Sequence, residues 1–62
     1  MIWVHVKTGG RYILIGEGVI EKTNTPCVMY TSILGGPIWV RPTDEFHDGR
    51  FVMEVNNNEI IT

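Results

Sequence analysis

Residues 11–34, RYILIGEGVIEKTNTPCVMYTSIL, decide the fold. Two runs rich in β-branched and aromatic side chains, Arg11–Lys22 and Cys27–Leu34, flank the breaker cluster Thr23-Asn24-Thr25-Pro26. Such a pattern reads as two strands joined by a tight turn, and a connection this short permits only antiparallel pairing. Working outward, Gly9-Gly10 sets off Ile2–Val6 on the N-terminal side. On the C-terminal side Gly35-Gly36-Pro37 precedes Ile38–Arg41, and His47-Asp48-Gly49 precedes Phe51–Val55. Each cluster supplies a positive or preset φ, the geometry that turns require. Asn56-Asn57-Asn58 fits a further turn, with Glu59-Ile60-Ile61 returning as a short last strand. Only Pro42–Phe46 reads as helical, one turn long, with Thr43 placed to cap it. The expected fold is all-β: a small antiparallel sheet of five or six strands, or an SH3-like barrel, with one short 3₁₀ turn.

Composition agrees with that reading. Ile, Val and Thr contribute 21 of 62 residues, Leu occurs twice, and Ala and Gln are absent, a mixture that favours strands over helices. Hydrophobic residues at 44% against 19% charged place the chain outside the disordered class. Its length leaves room for one domain, and a domain this small buries only about 60% of its unfolded surface. The formal net charge of −2 has the wrong sign for a protein held on long nucleic acid by counterion release. Lys7, Arg11, Lys22, Arg41 and Arg50 are scattered in sequence, although folding can gather some of them into an anion site. Cys27 has no second thiol, so neither an internal disulfide nor a paired-cysteine zinc site is expected, and it reads as a small core hydrophobe. No basic start leads into a signal-like apolar stretch, and no apolar run approaches the roughly 20 residues of a membrane span. A cytoplasmic protein without a membrane partner is the expectation.

Alternation within the strands is imperfect. Ile13-Leu14-Ile15, Ile38-Trp39-Val40, Val52-Met53 and Ile60-Ile61 put apolar groups on both faces, whereas a lone sheet buries one. Leaving such side chains wet forfeits about 1.5–3 kcal/mol each, a large share of the stability open to a domain of this size. Self-association as a homodimer or a larger ring is the expected remedy, with Ile60 and Ile61 as candidate contact residues.

Trp39 and Arg41 lie two apart and share a face of their strand. An indole beside a guanidinium can clamp a planar ring or an anion; alternatively, Trp39 is core and Arg41 stacks on it while pairing with Asp44 or Glu45. Tyr30 presents the same choice between a core-edge hydrogen bond and a site. His5 alternates with Trp3 and Lys7, giving a cationic, aromatic stripe that either binds a phosphate-bearing ligand or forms the polar side of an edge strand. His47, beside Asp48-Gly49, reads as solvated. The chain has no P-loop, nucleophile elbow, zinc-protease motif or dinucleotide loop, so neither an enzyme nor a cofactor is expected.

His5-x-Lys7, Gly9-Gly10-x-Tyr12, Tyr30, Trp39-Val40-Arg41-Pro42, Phe46 and the closing Glu54-Val55 and Glu59-Ile60 follow one another in an order that resembles the domain-of-unknown-function 1653 family, small bacterial and phage proteins. Trp39–Pro42 is the most specific block. Thr31 stands where that family usually has Arg, the segment before Trp39 is slightly shortened, and Asn56-Asn57-Asn58 replaces an Asp-Gly type of turn. The resemblance implies a small all-β fold and supplies no activity. Its phage membership implies binding rather than catalysis, in the host cytoplasm. Two functions follow: a homo-oligomer that sequesters a small nucleotide-like anion at a subunit interface through Trp39, Arg41, Tyr30, His5 and Lys7, or an interaction module that modulates a host protein by strand addition or apolar packing.

Overall fold

The structure, a computed structural model, describes residues 1–54. The expected last strand, with Ile60 and Ile61, lies outside the described residues. The central hairpin pairs β2 (Arg11–Ile20) antiparallel with β3 (Thr25–Ser32). At its tip Asn24 takes the left-handed conformation, φ 59°, and its N–H donates to the Ile20 carbonyl at 2.7 Å. Asn tolerates that region because its short amide bonds locally. A bulge at Ile15 shifts the register, so that Leu14 faces Tyr30 while Gly16 faces Met29.

β1 (Ile2–His5) pairs antiparallel with the first residues of β2, and β4 (Trp39–Pro42) with β3. Pro42 ends β4, since proline cannot extend a ladder. One turn of α-helix, α1 (Thr43–Phe46), then leads to β5 (Phe51–Met53), which pairs with β1. The order β4-β3-β2-β1-β5 is that of an open five-stranded antiparallel sheet. Of the two expected forms the open sheet is therefore the one found, and β4 and β5 are its two edges. No helix among the described residues is long and apolar enough to cross a membrane.

Local differences from the sequence reading have physical causes. The helical turn closes with an i to i+4 bond, the His47 N–H donating to the Thr43 carbonyl at 3.0 Å, so it is α rather than 3₁₀. Pro42 occupies the N-cap position, and no side chain caps the turn; Thr43 is already inside it. β1 lies between β2 and β5 and is not an edge strand. It stops at His5, where the Gly9 N–H donates to the His5 carbonyl at 2.7 Å, so Lys7 sits in the turn instead of extending the strand face.

Residues opposite each other on a ladder share a face. One face thus collects Trp3 with Tyr12, Leu14 with Tyr30, Tyr30 with Trp39, and His5 with Phe51. Onto this face α1 lays Phe46, which is fully buried and stacks on Phe51 at 4.4 Å between centroids and 9° between planes. Val28, Tyr30, Phe46 and Phe51 form the buried cluster, with Trp3, Tyr12 and Leu14 packed against it. Cys27 is buried as expected. The opposite face carries Ile13, Val40 and Val52, which are 43%, 57% and 47% exposed, so the second apolar face is open among the described residues. Across it Arg11 grips Glu54 with two hydrogen bonds, Nε to Oε1 at 2.9 Å and Nη2 to Oε2 at 2.6 Å.

Phe46→Ala removes the one helical ring that seals the core face. It is expected to cost about 3–5 kcal/mol, enough to unfold much of the population, as read by urea denaturation followed by circular dichroism. A loss below about 1 kcal/mol would show that the sheet holds without that ring.

Candidate functional site

The register of β3 against β4 sets Trp39 opposite Tyr30 and Arg41 opposite Val28. Both β4 side chains therefore rise on the aromatic face. Arg41 Nε donates to the Tyr30 hydroxyl at 3.1 Å, and the guanidinium carbon lies 5.7 Å from the centre of the Phe51 ring. Arg41 Nη1 also approaches Glu45 Oε1 at 3.5 Å, one helical turn away. The hydrogen bond to Tyr30, reinforced by the charges of Glu45 and Asp48 and opposed by partial burial, holds the guanidinium above the ordinary arginine range. Arg41 thus keeps its charge while lying against aromatic rings.

Beside it a recess of about 250 Å³ opens between His5, Tyr12, Tyr30, Trp39 and Phe51, with Arg41 and Thr8 completing the rim. Tyr12 meets Tyr30 edge-on at 5.4 Å and Phe51 at 5.8 Å, so the rings brace one another. His5 lies 4.9 Å from Phe51, and its Nδ1 is 3.0 Å from the Thr8 hydroxyl. Trp39 is 49% exposed. The alternative in which Trp39 is core does not describe the structure, although the pairing of Arg41 with Glu45 that accompanied it does occur.

His5 and Arg41 also line a wider cleft of about 710 Å³, shared with Val6, Lys7, Asp48, Gly49 and Arg50. The fold thus brings Trp39, Arg41, Tyr30 and His5 to one recess and places Lys7 in the adjoining cleft. Ile60 and Ile61 lie outside the described residues. His47 is exposed, as expected, and its ring meets Trp3 edge-on at 5.5 Å and Phe46 at 5.1 Å. No group of His, Cys, Asp or Glu suited to a metal is present among the described residues.

Tyr12, Thr8, Phe51 and Arg50 were not among the expected ligand-binding residues, although Tyr12 stood in the Gly9-Gly10-x-Tyr12 series and Arg50 among the cations that folding could gather. Gly10 carried a usable signal for Tyr12: a Cβ there would sit 3.0 Å from Tyr12 Cε1, so the glycine makes room for the phenol ring. Phe51 gave none, because its place depends on β5 returning beside β1. No protein-family model, curated protein or solved structure matches the chain.

Tyr30→Phe removes the acceptor of the Arg41 bond and is expected to cost about 1 kcal/mol, while Arg41→Met after Tyr30→Phe costs correspondingly less. A double-mutant cycle by chemical denaturation measures that coupling. A raised pKa makes the cation's contribution present below the arginine range and lost only as pH rises through it. The coupling should therefore be flat across neutral and mildly alkaline pH. Strict additivity of the two changes would show that the bond contributes nothing.

Proposed function

We propose that this protein is a non-enzymatic, homo-oligomeric binding module that sequesters a small nucleotide-like anion. The observation that carries the reading is that Trp39, Arg41, Tyr30 and His5, drawn from three strands, line a single recess. Aromatic edges and faces there suit a planar ring, and Arg41 supplies a permanent charge with a planar donor fork. A recess of about 250 Å³ falls just short of the roughly 300 Å³ at which small-molecule pockets begin. Trp39 stands on an edge strand, so a second copy seated along β4 would deepen the recess and close it over the indole.

Isothermal titration with adenosine monophosphate tests this reading. Binding should be abolished in both Trp39→Ala and Arg41→Ala, with circular dichroism unchanged; full binding by both variants overturns it. Sedimentation at micromolar concentration tests the assembly, and a single subunit that binds the nucleotide would confine the site to one chain.

A second reading, an interaction module, is supported by the exposed Ile13, Val40 and Val52 on the opposite face. It differs from the first in which face matters. Val40→Asp and Val52→Asp should then dissolve the self-association or partner contact that sedimentation detects and leave nucleotide binding intact; an unaltered assembly in both variants counts against it.

A further inference from the structure

The aromatic recess and the wider cleft differ in chemistry although they share His5 and Arg41. The recess presents rings, whereas the cleft adds Lys7 and Arg50 and has Asp48 as its carboxylate. Arg50 is not free in the empty protein: its Nε lies 3.1 Å from Asp48 Oδ2, and its Nη1 3.5 Å from Glu45 Oε1. Glu45 in turn faces Arg41 at 3.5 Å, so two carboxylates are shared among two guanidiniums. These pairs are half-exposed, 48% for both Arg50 and Glu45, and such pairs contribute little and exchange readily. Lys7 has no carboxylate within ion-pair distance among the described residues. At the lip of the cleft Gly49 holds φ 108°, and the Arg50 N–H is turned back onto Asp48 Oδ1 at 3.2 Å. That turn fixes where Arg50 leaves the backbone.

Resting on the nucleotide reading above, we infer that the ligand lies with its ring in the aromatic recess and its phosphate in the adjoining cleft, where Lys7, Arg41 and Arg50 hold it. The ligand class is accordingly a nucleoside phosphate rather than a nucleoside or a free phosphate. Orientation follows from the lining: the rings are gathered in the recess, where Arg41 is the one Lys or Arg side chain, whereas the cleft adds Lys7 and Arg50 to it. Arg41 lines both spaces, with Nε committed to Tyr30 and Nη1 3.5 Å from Glu45, the carboxylate it shares with Arg50. A phosphate binds there by replacing Asp48 and Glu45 as the partner of Arg50, so those carboxylates act as its competitors. No covalent step is involved.

The test compares adenosine, adenosine monophosphate and inorganic phosphate by isothermal titration against the wild type, Arg50→Gln, Lys7→Ala and Asp48→Asn. Wild type is expected to bind the monophosphate about tenfold or more tightly than adenosine, in keeping with one or two charge-assisted contacts, and inorganic phosphate weakest of the three. Arg50→Gln and Lys7→Ala should each shrink the ratio between monophosphate and adenosine, and Asp48→Asn should enlarge it. Added salt should weaken the monophosphate and leave adenosine unmoved. Equal affinity for adenosine and its monophosphate, or a ratio unaltered in Arg50→Gln and Lys7→Ala while Trp39→Ala still abolishes binding, overturns the phosphate site and leaves the aromatic recess standing. Absence of binding by both adenosine and its monophosphate overturns the parent reading and this one together. Because Arg50 and Lys7 are exposed turn residues, circular dichroism of their variants should match wild type.

Discussion

Phe46 stacked on Phe51 is the contact on which the sheet's buried aromatic face depends. The open five-stranded sheet has an aromatic face to cover, and among the described residues a single turn of helix lies over it. A four-residue helix has no stability of its own. It persists because Phe46 is enclosed by Phe51, by Tyr30 at 5.2 Å and by Trp3 at 5.2 Å. The same stack fixes β5 beside β1, since Phe51 faces His5 across that ladder. Helix, edge strand and core are thus one packing event.

That packing also positions the site. A helix of one turn seals only the part of the face nearest Trp3 and leaves the part nearest Trp39 open, where rings that would otherwise be core become the walls of a recess. Arg41 can lie against those walls because each of its demands is met: Tyr30 accepts from Nε, Phe51 offers its ring, and Glu45 balances charge at the solvent side. An arginine held in this way has lost much of its rotational freedom before any ligand arrives, which lowers the ordering cost of binding.

Local signals in the sequence were sufficient for the hairpins. Asn24, Gly9, Gly35 and Gly49 all hold positive φ, as the breaker clusters required, and the strands between them alternate or pair as expected. What the residues could not disclose was non-local. Nothing in Phe51–Met53 says that it will pair with β1 across the sheet, and without that pairing β1 reads as an edge and Phe51 as a member of a distant strand. Trp39 and Arg41 were legible as a pair because both lie on four residues of one strand. Their neighbours Tyr12, Phe51 and Arg50 come from other strands and turns, so the recess became visible only with the register. Thr43 misled because Pro42, with its preset φ, can open a helix without any side-chain cap.

The hairpin has one more consequence. β1 pairs with β2 only as far as Ile13, so among the described residues the segment from the bulge at Ile15 to Ile20 pairs with β3 alone. Gly16 and Gly18 thin this segment further, with only Met29 laid across them. Asn24, Thr25 and Pro26 at the tip line a hollow together with Thr43, Asp44 and His47, so a tip that frays and re-forms does so directly beside the helical turn that carries Phe46.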